Sequence, residues 1–139
     1  MFKHHTKNKG DLGVLKVKLD LFNKGFLVLN PETEHSPFDI VGYKDGKFTR
    51  FQVKYRSMQK GTCVLTGSTS WADKNGSHTK RYDFADIDKF AVYVPEFDLC
   101  FYVDSKLFVE KHRTLTFRFS KPKNNQSNYW LIHDFLDII

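Results

Sequence analysis

The sequence predicts one α/β domain, a mixed sheet with flanking helices. Three observations carry that prediction. A helical apolar stripe opens the chain, a strongly signalled β-hairpin follows it, and further strand-like runs continue with no internal repeat and no linker. The 139 residues are the size of one domain and suffice to bury a core without staples. A hydrophobic fraction of 40%, including 14 Phe, 6 Tyr and 2 Trp, supplies that core and excludes a disordered chain.

Residues 1–9 are basic and polar, with little to pack, and read as a flexible arm. His4-His5 has no partner pair at zinc spacing, so a metal site there is not expected. Residues 10–24 read as a helix. Leu12, Leu15, Leu19 and Phe22 recur at helical spacing, Val14, Val17 and Leu21 widen the stripe, and Asn23-Lys24-Gly25 is a stop. Asp11 lies one turn before Leu15 and is expected at the edge of the buried face; an acid in a first turn also serves the helix dipole. Residues 26–29 form a short strand closed by Asn30-Pro31. The polar loop 31–37 follows, with Glu32, Glu34 and His35 read as solvated.

The hairpin runs from Pro37 to Tyr43, turns at Asp45-Gly46 and returns from Phe48 to Tyr55. An Asp-Gly pair between apolar runs is a strong hairpin signal, because both central residues of a type I′ turn need positive φ. With a two-residue loop, Lys44 opposes Lys47 and Asp39 faces Gln52, with Lys54 as the diagonal neighbour. A carboxylate, an amide and an ammonium then gather on one face, and Phe38, Ile40, Phe51, Val53 and Tyr55 occupy the other. A polar trio is also what a solvated strand surface presents.

Residues 62–66 read as the next strand. The long stretch 67–82 is rich in small polar residues, carries Lys74, Lys80 and Arg81, and has a turn signal at Asn75-Gly76. So long a loop in a small domain tends to be functional or disordered; a solvated surface hairpin is the alternative. A short turn or helix spans 83–88, strands 90–94 and 99–103 pair, and Asp104 or Ser105 caps a short helix to 111. Residues 114–119 alternate with Leu115, Phe117 and Phe119 inward, and Tyr129, Ile132, Leu136 and Ile139 form a last helical stripe that ends on an apolar residue.

Lys and Arg number 22 against 16 Asp and Glu, a net charge of +6, which points to a polyanionic partner, usually nucleic acid. The 2 cysteines, Cys63 and Cys100, sit in apolar runs and read as reduced, buried thiols of a cytoplasmic protein. No apolar run is long enough to span a membrane, and no signal-peptide segment is evident. Serine-triad, phosphate-loop, CxxC and HExxH patterns are absent. The group left to carry chemistry is Asp39 with Gln52 and Lys54, joined optionally by Asp11. Phosphodiester hydrolysis suits it: Mg²⁺ takes hard oxygen ligands, and a lysine neutralises charge developing on phosphorus.

Lys9-Gly10-Asp11-Leu12-Gly13, Gly25-Phe26, Pro37-Phe38-Asp39, Phe51-Gln52-Val53-Lys54-Tyr55-Arg56 and the 87–95 stretch follow one another in an order that resembles the PD-(D/E)XK nuclease superfamily. More closely, they resemble its group I intron-encoded homing endonucleases. The resemblance implies a restriction-endonuclease-like core, with a four-stranded mixed sheet flanked by helices. It also implies Mg²⁺-dependent cleavage of double-stranded DNA, with Mn²⁺ as a substitute, and a homodimer or homotetramer. It assigns metal ligation to Asp39, Gln52 and Asp11, and catalysis to these three with Lys54. Gln52 stands where the superfamily usually has an acid, a substitution that the intron-encoded branch shares, and Asp11 where the family usually has Glu. The expected DNA contacts are Arg50, Arg56, Lys74, Lys80 and Arg81. A structure-selective junction resolvase and a catalytically inactive DNA-binding module are the alternatives on the same fold.

Overall fold

The computed structural model describes residues 5–110 and 114–138, without the side chains of residues 5, 109 and 110. Helix α1 (His5–Asn23) begins inside the stretch read as an arm, so residues 5–9 form its first turns, and residues 1–4 lie outside the described residues. Gly25 follows at φ 86°, and the chain enters β1 (Leu27–Leu29).

The helix turns inward the flank of the predicted stripe, where Val14, Val17 and Leu21 widen it, and not its main row. Val17 and Leu21 are fully buried, whereas Leu12, Leu15, Leu19 and Phe22 are 40, 63, 56 and 72% exposed. Both stripes have helical spacing, so periodicity could not choose between them. Gly13 supplies the physical reason. A Cβ there would lie 3.5 Å from Tyr55 Cβ and 3.6 Å from a Val53 methyl, so this small residue lets the helix backbone sit close to the sheet. The face holding Gly13, Val17 and Leu21 therefore packs, and Asp11 is left exposed.

β2 (Ile40–Lys44) and β3 (Lys47–Tyr55) form the hairpin in the expected register, with Lys44 opposite Lys47. Asp45 and Gly46 take φ of 52° and 79°, the left-handed pair of a two-residue turn. β3 then pairs parallel with β7 (Lys89–Val94), which pairs antiparallel with β8 (Leu99–Asp104). The expected four-stranded mixed sheet is thus present, and β1 adds a short fifth strand at its β2 edge.

Alternation along β3 divides the core in two. Phe51 and Val53 pack under α1 with Ile40, Ala91, Tyr93 and Tyr102. Phe90, Val92 and Phe101 face the other way, onto a second sheet of β4 (Thr62–Thr66), β9 (Thr114–Arg118) and β10 (Trp130–Leu131). Asp104 Oδ1 caps α2 (Lys106–Glu110), accepting from the Lys106 amide at 2.9 Å, as read from the sequence.

Two terminal expectations are corrected. Phe119 is 43% exposed and stacks on Phe97 at 4.0 Å, because β9 ends at Arg118. The last helical stripe is instead β10, which pairs parallel with β9, followed by a 3-10 turn at Ile132–Phe135 that buries Ile132. Ile139 lies outside the described residues.

Cys63 and Cys100 are buried free thiols on different sheets. Burial pushes them up to about 11 and about 12 respectively. Thiolate is the reactive form. In the native protein at pH 8, neither thiol is expected to react with an aromatic disulfide reagent, and both are expected to react at once in denaturant. Absorbance of the released thiolate checks this.

Candidate active site

The hairpin places Asp39 one residue before β2 and Gln52 and Lys54 on the face of β3 turned away from α1. Gln52 Nε2 donates to Asp39 Oδ2 at 2.8 Å, and the Val53 amide donates to the same oxygen at 2.9 Å. The Asp39 amide is itself held by the Phe51 carbonyl at 2.9 Å. One carboxylate oxygen is thereby fixed, and no hydrogen bond among the described residues takes Asp39 Oδ1. The Gln52 amide, with its nitrogen committed to Asp39, has its carbonyl oxygen available as a hard donor.

Lys54 is a buried side chain, 9% exposed. It opposes Val92 of β7, its Nζ donates to the Tyr82 hydroxyl, and the ammonium sits 4.5 Å from the centre of the Tyr82 ring. Burial, with Arg56 adding to it and Asp39 opposing, brings the Lys54 ammonium down to about 8. Burial raises the Asp39 carboxyl above its ordinary value, partly offset by the Val53 amide and Lys54. Burial thus disfavours both charged forms, and a cation at the carboxylate would favour its charged form.

Asp39 and Gln52 form the wall of a cleft of about 730 Å³ with Glu34, Thr69, Lys80, Arg81, Tyr82, Asp83 and Asp86 among its lining. The stretch 67–82 forms the roof. It is neither disordered nor an irregular loop but an antiparallel ribbon, β5 (Ser68–Asp73) and β6 (Gly76–Arg81), separate from both other sheets. Its two-residue turn is Lys74-Asn75, one position earlier than the Asn-Gly signal implied, with the Asn75 amide on Asp73 Oδ1 at 2.7 Å. Thr69 and Lys80 pair on the ribbon face that lines the cleft, and Trp71 and His78, stacked at 5.3 Å, extend that face outward. At the base, Tyr82 donates its amide to the Gly67 carbonyl at 3.1 Å. A Cβ on Gly67 would meet Phe84 at 2.8 Å and Phe108 at 3.1 Å, so glycine anchors the ribbon against the core.

The remaining sequence-predicted residues are distributed around this site. Asp11 is exposed on α1, on the opposite side of the sheet from Gln52 and Lys54, and is not in the cleft lining. Arg50 is engaged by Asp88: its Nε and Nη2 donate at 3.0 and 2.8 Å, and its amide donates at 2.7 Å. The Arg50 guanidinium holds the Asp88 carboxyl below the ordinary carboxylate value. Arg56 donates to the Tyr55 carbonyl at 2.9 Å, just past Lys54. Lys74 is exposed at the ribbon turn, and Arg81 donates to the Phe108 carbonyl at 3.3 Å. Sequence reasoning did not single out Tyr82, Asp83 or Asp86. Their one local signal is that they directly follow the ribbon.

Among the described residues, no cluster of three or more His, Cys, Asp and Glu side chains forms a metal site. The donors on offer are the Asp39 carboxylate and the Gln52 carbonyl, both hard oxygens. That set fits a Mg²⁺-type ion, which keeps several waters and takes one or two carboxylates. It does not fit a tetrahedral zinc.

A mixed sheet under a helix, with an acid, an amide and a lysine converging beside a basic ribbon, defines a nuclease-type α/β domain. The chain belongs to the PD-(D/E)XK endonuclease family, whose model matches residues 4–137. No match is found among curated proteins. Among solved structures, the chain is similar to that of a bacterial homing endonuclease, I-Ssp6803I. The TM-score is 0.70 at 22% identity, over 88% of this chain and 82% of that one, a likeness of fold. No helix among the described residues is long and apolar enough to cross a membrane.

Proposed function

We propose that this chain is a Mg²⁺-dependent, site-specific double-stranded DNA endonuclease of the intron-homing type. The observation that carries the reading is the Gln52 amide locked onto Asp39 beside buried Lys54, in a cleft roofed by a basic ribbon. Asp39 Oδ1 and the Gln52 carbonyl would hold the cation, with Mn²⁺ able to replace Mg²⁺; Asp11, exposed across the sheet, is left out of this ligand set. When bound, the ion polarises a phosphoryl oxygen and acidifies a water. Lys54 supplies positive charge toward the phosphorane, and the Tyr82 side of the cleft excludes bulk water from it. The test is cleavage of a plasmid carrying the uninterrupted allele of the host gene, with Mg²⁺ and with EDTA. Linearisation only with the metal supports the reading; tight binding without cleavage in Mg²⁺ or Mn²⁺ sinks it in favour of a DNA-binding module.

Duplex DNA lies against the ribbon, whose two-stranded width fits a major groove. Lys74, Lys80 and Arg81 contact phosphates there, Arg56 does so beside Lys54, and Arg50 contributes from its pair with Asp88. The triple variant K74A/K80A/R81A is expected to reduce the slope of log Kd against log salt by about 0.9 for each phosphate it no longer neutralises. Fluorescence anisotropy with a labelled duplex measures it, and an unchanged slope removes the ribbon from the interface.

The chain acts as a homodimer or homotetramer. The outer face of α1 is assigned to a second copy because its apolar residues are spaced for self-pairing. In an antiparallel arrangement about a twofold axis, Leu12 meets Phe22 of the partner subunit and Leu15 meets Leu19 of the partner subunit. This leaves the cleft, on the other side of the sheet, open to DNA. The double variant L15E/L19E is expected to weaken association roughly 100-fold, since it places charge at the centre of the contact. Sedimentation velocity reads the change. A monomeric wild type overturns the assignment.

A further inference from the structure

Tyr82 stands at a junction. Its amide closes the base of the ribbon on Gly67, and its phenol accepts a hydrogen bond from Lys54 Nζ. Its ring lies under the same ammonium, edge-on to Phe90 at 5.6 Å. Lys54 is bracketed on the strand side by Val92, its register partner, so the phenol is the polar group that holds its flexible four-carbon stem. Only 28 residues further along the chain does this partner appear, at the point where the ribbon rejoins the core.

We propose that Tyr82 is a positioning residue: its hydroxyl aims the Lys54 ammonium toward the Asp39–Gln52 pair and ties that aim to the base of the ribbon. The inference rests on the nuclease reading for its catalytic consequence but not for the contact itself. A ribbon seated on DNA and a correctly placed lysine are then one state, because the residue between them belongs to both. Catalysis is steeply sensitive to such placement; a displacement of about 1 Å can cost roughly 100-fold in rate.

Tyr82→Phe tests this, since it keeps the ring and removes only the acceptor. In the metal-free, DNA-free protein, lysine acetylation mapped by mass spectrometry is expected to show Lys54 modified several-fold faster in the variant, with the other lysines unchanged. On the plasmid carrying the uninterrupted allele, with Mg²⁺, the single-turnover rate at saturating protein is expected to fall roughly 10- to 100-fold. The half-saturating protein concentration stays within about twofold of the wild type. Unchanged Lys54 acetylation overturns the proposal whatever the rate, and so does a wild-type cleavage rate in Tyr82→Phe. If the wild-type protein cuts no DNA in Mg²⁺ or Mn²⁺, the nuclease reading fails, and the acetylation result alone still decides whether Tyr82 holds Lys54. Should Tyr82→Phe not fold, Tyr82→Met removes the same hydroxyl while keeping an apolar side chain against Phe90, and is expected to move both readouts in the same direction.

Discussion

Lys54→Met is expected to slow DNA cleavage by roughly 10²- to 10³-fold at saturating protein, the loss typical of a charge that acts on the transition state. The same change is expected to raise Tm by about 2–4 °C, or ~1 kcal/mol for a chain of this size. The two effects have opposite signs for one reason. Lys54 is 9% exposed, and burial has already brought its ammonium down to about 8, so the folded protein holds this charge at a cost. Met keeps the apolar stem against Val92 and the Tyr82 ring and discards the charge. DNA affinity should change little, because exposed bases of the ribbon, not a buried lysine, meet the phosphates first. Single-turnover kinetics and a thermal melt check the pair of outcomes. A Lys54→Met protein that cuts at the wild-type rate takes Lys54 out of the site. The companion variant Asp39→Ala is expected to lose cleavage together with any metal-induced rise in Tm, as Asp39 is the carboxylate joined to Gln52.

What could be read from the sequence follows the range of each interaction. The hairpin register rests on Asp45-Gly46, a local constraint on φ, and from it the Asp39–Gln52 contact follows by strand geometry alone. The α1 face was not legible in that way. The larger stripe, Leu12 to Phe22, is the more hydrophobic by inspection, yet a glycine decided which stripe packs. Close approach of two backbones brings the whole helix against the sheet, and a tally of apolar side chains does not see it. Arg50 looked like a free base in the sequence because its partner Asp88 lies 38 residues away. The ribbon was half legible: its turn signal was one residue off, and its pairing depended on Gly67 fitting between Phe84 and Phe108. Tyr82 was invisible for the same reason as Asp88, since its role arises only where two separated strands meet.

Gln52→Glu should give the second large effect. In the wild type, the Gln52 amide nitrogen donates to Asp39 Oδ2 at 2.8 Å. Glu has nearly the same shape but no donor, so it turns a hydrogen bond into two carboxylates at close range within a partly buried pair. The Val53 amide still donates to Oδ2, but the side-chain donor is replaced by a like charge, at a cost of about 1–3 kcal/mol, so the metal-free variant is expected to melt about 4–8 °C below the wild type. A divalent cation reverses the balance. Two carboxylates attract a hard ion more strongly than one carboxylate and one amide, and an ion present at about 100 times its Kd adds about 2.7 kcal/mol to stability. With Mg²⁺ in that excess, the variant should recover most of the Tm deficit and show a larger metal-dependent shift than the wild type. Calorimetry with and without Mg²⁺ measures both quantities. Equal melting points for the two metal-free proteins would mean that residue 52 does not face the acid in solution. A lower melting point that Mg²⁺ leaves untouched would mean that the pair faces as described but does not hold the ion, and the assignment of Asp39 and Gln52 as ligands would fall while the fold around them stands.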